Sequence, residues 1–209
     1  MTPDVAAAGG ARDPGAGHGA ALAGFHLGHR TTRDLDLFWH GKRAIEEEPR
    51  IVERLLVAAG LQVEVLRRSE TFARMRVTRE LESVVLDLVA EPVPVVDAPR
   101  EEKIGARSIR VDTPQEILTN KLGTLLHRAE PRDLIDIQAL LAAGCDLERA
   151  LAGAAKKDGG FSALTVGWAL QNFDVKTRAG ALGMPAAAVE QLDAFRLQLL
   201  GRIARLARP

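Results

Sequence analysis

The sequence predicts an α+β fold, a mixed sheet followed by a C-terminal helical region. Three observations carry that expectation. Short segments with the period-two pattern of strands recur up to about residue 112. A strong helix start then stands at Asp112-Thr113-Pro114-Gln115-Glu116, with a capping side chain, proline in the first turn and acid near the N-terminus. Beyond it the apolar residues recur at helical spacing. Strands first and helices afterwards is the order of a sheet domain joined to a helical one. We therefore divide the chain into 1–18, 19–112 and 113–209.

Residues 1–18 are rich in Ala, Gly and Pro and carry no hydrophobic period, so this segment is expected to be disordered. From Gly19, the run to Leu27 suits a short buried helix that opens on a glycine. Leu35, Leu37 and Trp39 alternate with Asp34, Asp36 and Phe38, which is a strand period. A helix from about Pro49 to Ala59 stops at Gly60. Strands are expected at Leu61–Leu66, Thr71–Thr78 and Ser83–Ala90, with one more at Ser108–Val111. The stretch from Glu91 to Lys103, EPVPVVDAPREEK, reads as a proline-broken loop. Helices are expected over 114–128, 132–143, 146–156, 161–172 and 186–206.

Composition narrows the function classes. Lys+Arg and Asp+Glu number 28 each, so no sequence-wide charge draws the chain to nucleic acid or membranes. A local basic face would still serve an RNA substrate. The single cysteine, Cys145, excludes an intramolecular disulfide and any site built from several thiolates. His26 and His127 lack partners at metal-ligand spacing, which argues against zinc. No apolar run reaches the length of a membrane span, and the N-terminus does not look like a secretion signal. No membrane association and a cytoplasmic location are the expectations. Trp168 and Phe173, at helical spacing with Leu164, are expected in the core.

Asp34-Leu35-Asp36 places two carboxylates on one face of a strand. Like charges so placed repel, and a divalent cation relieves the repulsion. Oxygen-only ligation suits Mg²⁺ or Mn²⁺, with phosphates completing the coordination. Asp87 interrupts the apolar strand Val84–Val89, where an acid is costly unless paired or metal-bound. If its strand lies beside that of Asp34 and Asp36, three carboxylates converge. A helix N-terminus at Gly19 would add free N–H groups for a triphosphate.

In this order of elements the chain resembles a known family. The run Gly19-Ala20-Ala21-Leu22, then Gly28-His29-Arg30, then Asp34-Leu35-Asp36-Leu37-Phe38 is similar to motifs of the AbiEii/AbiGii toxin family of nucleotidyltransferases. The stretch Thr113–Arg128 and the run Arg132-Asp133-Leu134-Ile135-Asp136-Ile137 resemble two further motifs of that family, in family order. The resemblance implies a fold like that of DNA polymerase β-type nucleotidyltransferases. It also implies transfer of a nucleoside monophosphate from an NTP to an RNA or protein acceptor, tRNA among them. Such a chain is the toxin of a type IV toxin–antitoxin, or abortive-infection, system and has a cognate antitoxin. Carried onto this sequence, Asp34, Asp36 and Asp87 would bind the metal, and Asp87 would assist deprotonation of the acceptor. Gly19 and Arg30 would meet the triphosphate, Lys121 would contact phosphate, and Asp133 and Asp136 would complete the second acidic motif. For Lys121 the residues leave open a second role, as ion-pair partner of Asp133 or Asp136 between packed helices.

The chain departs from the family at one motif, where His18-Gly19 stands in place of a paired glycine. Its N-terminus also looks short for the helix and strand that the family carries upstream. These departures support an alternative: a catalytically inactive or truncated relative that keeps the fold to bind a nucleotide or a partner.

Overall fold

The computed structural model describes residues 15–16, 26–27 and 34–207. Two compact units emerge: residues up to Pro94 with Pro99–Asp112, and Val95–Ala98 with Thr113–Pro209.

The first unit is built on a seven-stranded mixed sheet. Its strands are β1 (Gly15–Ala16), β2 (Asp34–His40), β3 (Gln62–Arg68), β4 (Phe72–Arg79), β5 (Glu82–Glu91), β6 (Arg100–Ile104) and β7 (Arg107–Val111). Their spatial order is β3-β4-β5-β2-β1-β7-β6. The β2–β5 pair is parallel, whereas β3–β4, β4–β5 and β6–β7 are antiparallel. Gly15 and Ala16, within the segment expected to lack order, pair with β2 and β7. The rest of that segment, and most of the expected helix at 20–27, lie outside the described residues.

Alternation along each strand gives the sheet two unlike faces. Leu35, Leu37 and Trp39 join Leu86, Leu88 and Ala90 of β5 and Ala73, Met75 and Val77 of β4 in the core. Helix α1 (Glu48–Ala58) covers this face with Val52 and Leu56. Gly60, at φ +83°, ends the helix: its N–H reaches Val57 O, and that of Leu61 reaches Leu56 O. Only glycine takes that left-handed conformation without a Cβ penalty. Ile45 closes one edge of the core at 2% exposure. Lys42 forms an ion pair with Glu48 in the first helical turn. Burial alone would raise the Glu48 carboxyl, but its hydrogen bond from Lys42 holds it below the usual carboxylate range.

The second unit contains α2 (Pro114–His127), α3 (Pro131–Ala142), α4 (Leu147–Lys157), α5 (Ala163–Gln171), α6 (Val175–Ala181) and α7 (Ala186–Leu206). Helix α2 packs against α3, α4 and α5, while α7 lies along α3, α5 and α6. Ile117, Leu118, Leu122, Leu134, Ile137 and Leu140 are wholly buried between them. Thr113 caps α2 by accepting the Glu116 N–H at 3.2 Å, as the sequence led us to expect for this helix start. The strap Val95–Ala98 is fixed by buried Glu116, whose Oε2 accepts the N–H groups of Val96 (2.8 Å) and Asp97 (2.9 Å). Lys157 pairs with the other oxygen of the same carboxylate.

Three features differ from the sequence reading. Strand β6 forms within the stretch taken as a loop, because its exposed charged residues pair with β7 and need no apolar pattern. Helix α6 was not anticipated: its seven residues are too few to display a period, and Asp174 starts it by capping Thr177 N. Trp168 is 68% exposed and Leu164 81%, so they are not core, whereas Phe173 is buried as expected. Helical spacing puts Trp168 and Leu164 on one face, yet no described element covers it.

Among the described residues no helix is long and apolar enough to cross a membrane. Cys145 is a free thiol, and burial pushes its pKa up.

Candidate functional site

Asp34, Asp36 and Asp87 lie on the sheet face opposite α1. Asp34 and Asp36 alternate with core residues Leu35 and Leu37, so both point away from the core. Asp87 lies between Leu86 and Leu88 and shares that second face. The parallel β2–β5 register makes Asp36 and Asp87 direct partners, with Asp34 opposite Val85. The sequence left open whether the Asp87 strand lies beside the Asp34–Asp36 strand; it does.

The face carries cations that sequence reasoning missed. Arg74 on β4 is the antiparallel partner of Asp87, so Asp36, Asp87 and Arg74 form one row across three strands. The Arg74 guanidinium donates to both Asp87 oxygens, Nε to Oδ1 at 2.8 Å and Nη2 to Oδ2 at 2.6 Å. This two-point geometry fixes the orientation of the carboxylate. Hydrogen bonding to Asp87 raises the Arg74 pKa, against the opposing cost of burial, and the charges of Asp87, Asp34 and Asp36 add to it. In the next row Arg76, opposite Val85, pairs with Glu64 of β3. Phe72 supports the Arg74 side chain, whose guanidinium lies 5.6 Å from the ring centroid, and Arg67 stands 5.8 Å from the same ring. The alternation in Thr71–Thr78 put Arg74 on a charged face; its partner depends on a register that no local pattern records.

The donor set suits a hard divalent cation, because three carboxylates share one face and two of them are register neighbours. Among the described residues, however, no three His, Cys, Asp or Glu side chains are grouped so that they could hold an ion. Arg74 already engages both Asp87 oxygens. An ion here would need ligands beyond these described residues, and phosphate oxygens are of the right chemistry.

Histidines line one end of the second face. His40 stacks on Phe38, with ring centroids 6.0 Å apart, and its Nε2 lies 3.1 Å from Oδ1 of the buried Asp112. His26 Nε2 lies 2.8 Å from the Asp112 carbonyl. The His40 contact ties β2 to the residue just past β7.

In the second unit, Lys121, Asp133 and Asp136 come together between α2 and α3. Lys121 Nζ lies 2.9 Å from Asp133 Oδ1 and 2.8 Å from Asp136 Oδ2, and all three residues are buried. Asp133 and Asp136 are three residues apart on α3, which places both on the side facing α2. The ion-pair role that the sequence left open for Lys121 is thus present. The other oxygen of Asp133 is buried without a hydrogen-bond partner among the described residues. Gly19 and Arg30 lie outside the described residues.

Comparison with known proteins agrees with this architecture. MenT4, a nucleotidyltransferase toxin from Mycobacterium tuberculosis, superposes with a TM-score of 0.62 at 16% identity, over 92% of this chain and 76% of its own. A structure from H. pylori assigned as a nucleotidyltransferase gives a TM-score of 0.50 at 19% identity, over 94% of this chain and 90% of its own. No match emerges among the curated proteins. These structural likenesses establish the fold, a polymerase β-like nucleotidyltransferase sheet followed by helices. Residues 19–200 match the nucleotidyl transferase AbiEii toxin family of type IV toxin–antitoxin systems, and the chain belongs to that family.

Proposed function

We propose that the protein transfers a nucleoside monophosphate from an NTP to a hydroxyl of an RNA or protein acceptor, using Mg²⁺ or Mn²⁺. The observation that carries this reading is the pairing of Asp36 with Asp87 on the face that also bears Asp34. Asp34, Asp36 and Asp87 would hold the cation. Asp87 would also take up the acceptor proton as the acceptor oxygen bonds to the α-phosphorus, the bond from that phosphorus to the bridging oxygen breaks, and pyrophosphate leaves. The cation would neutralise phosphate charge and align the reacting oxygens. Gly19 and Arg30 are assigned to the triphosphate on the family motif alone. Lys121 would serve phosphate as a point charge, steered by Asp133 and Asp136, which fix its position. Membership of the family supports a toxin role opposed by a cognate antitoxin.

One observation favours a second reading, an inactive relative that binds nucleotide or a partner: Arg74 engages both oxygens of the proposed proton acceptor. Calorimetric titration of NTP with and without Mg²⁺ tests the metal site common to binding and catalysis. Clearly tighter binding with Mg²⁺ is expected, because the phosphates complete the coordination. Equal affinity in both conditions would count against the site.

A further inference from the structure

We propose that Arg74 is a built-in counter-cation that holds Asp87 in line with Asp36 and competes with the divalent ion for it. The inference rests on the metal-site reading above. Four observations support it. Asp36, Asp87 and Arg74 occupy one row of the sheet, so Arg74 flanks Asp87 on the side away from Asp36. Its guanidinium engages both Asp87 oxygens, which leaves neither fully available to an incoming ion. The Arg74 side chain is 48% exposed while that of Asp87 is 10% exposed, so the arginine covers the acid from the solvent side. Phe72 lies 5.6 Å from the same guanidinium while it engages Asp87, so the ring helps to hold Arg74 beside the carboxylate.

Physically, a fixed positive charge beside the carboxylates does part of what a metal would do. It relieves the repulsion within the acidic row while no ion is bound, and it weakens affinity for free cations. An NTP-borne ion brings its own phosphate ligands and can displace Arg74 where a bare ion binds poorly. Arg74 is thus a positioning residue that ties metal uptake to nucleotide arrival.

The test measures Mn²⁺ binding by calorimetry, without nucleotide, to wild type, Arg74→Gln, Arg74→Lys and Arg76→Gln. Arg76 sits on the same face but pairs with the exposed Glu64, so it controls for general surface charge. Neighbouring unit charges move carboxylate equilibria by one to three pKa units, so Arg74→Gln should tighten Mn²⁺ about tenfold or more. Arg74→Lys should fall between it and wild type, because one ammonium cannot engage both oxygens. Arg76→Gln should change affinity much less. Thermal melts supply the second readout: Arg74→Gln should melt lower than wild type without metal and recover most of the loss with Mn²⁺. Unchanged or weaker Mn²⁺ binding in a folded Arg74→Gln, while wild type still binds Mn²⁺ with NTP, overturns the counter-cation alone. Absence of Mn²⁺ binding in every chain, with or without NTP, overturns the metal site and the counter-cation with it.

Discussion

Asp36 and Asp87 are direct partners across two parallel strands, on the sheet face that helix α1 leaves uncovered. Two carboxylates so placed repel each other, and the Arg74 guanidinium on Asp87 offsets part of that cost. Replacing Asp36 with Asn keeps the volume and removes one charge. Asp36→Asn should therefore unfold at the same or slightly higher temperature than wild type in metal-free buffer, a change of about 0.5 kcal/mol or less. A melt several degrees lower would mean that Asp36 is held by contacts whose loss outweighs the relief of repulsion.

Lys121 makes a different prediction, about stability. Its ammonium is the shared partner of two carboxylates exposed by only 1% and 0%. Lys121→Met removes the shared cation from both in a low-dielectric interior, a loss of about 3–5 kcal/mol when a buried pair is broken from one side. Urea unfolding measures it directly. A loss below about 1 kcal/mol would show that the acids accept protons or water with little cost.

Acid should loosen the helical unit in a defined range. The Gly160 N–H, and then His127, hold the Asp158 carboxyl below the usual carboxylate range. Hydrogen bonds from Thr177 do the same for Asp174 at the start of α6. A carboxyl whose folded pKa lies below its unfolded value contributes stability that is fully present above the unfolded value. That contribution fades as pH falls through the folded value, so the window lies below about pH 4. The double variant Asp158→Asn/Asp174→Asn should show a shallower fall of melting temperature across that window than wild type. Identical slopes would contradict the assignment.

Trp168 is exposed and Trp39 is 3% exposed, so their fluorescence should separate. Trp168→Phe should remove the red-shifted part of the emission and change stability by less than about 0.5 kcal/mol. A loss of 2 kcal/mol or more would mean that Trp168 is packed after all.

The sequence made the acidic row only half legible. Strands β2, β4 and β5 could be read from alternation or apolar, β-branched character, and the alternation also told that Asp34 and Asp36 share one face of their strand. Register is a non-local property, so neither the Asp36–Asp87 pairing nor the arginine opposite Asp87 could be read from spacing. Helix termini were legible where the cap is chemical: Thr113 before Pro114, and Gly60 in a left-handed conformation just past α1. Strand β6 was not, because its exposed residues, Arg100 and Glu101 among them, owe their conformation to the neighbouring strand. Burial of the Lys121 pair could be anticipated only as an alternative, since helical spacing shows which residues share a face and not what that face meets.

The central claim is metal-dependent nucleotide transfer through the acids on the open sheet face. Its most direct test is transfer of radiolabel from NTP to a total RNA and protein extract, comparing wild type with Asp36→Asn in the presence of Mg²⁺. The account predicts label on an RNA or protein band with wild type and none with Asp36→Asn, both chains being folded and monodisperse. Equal labelling by the two chains, or silence from a folded wild type with every NTP supplied, would contradict it.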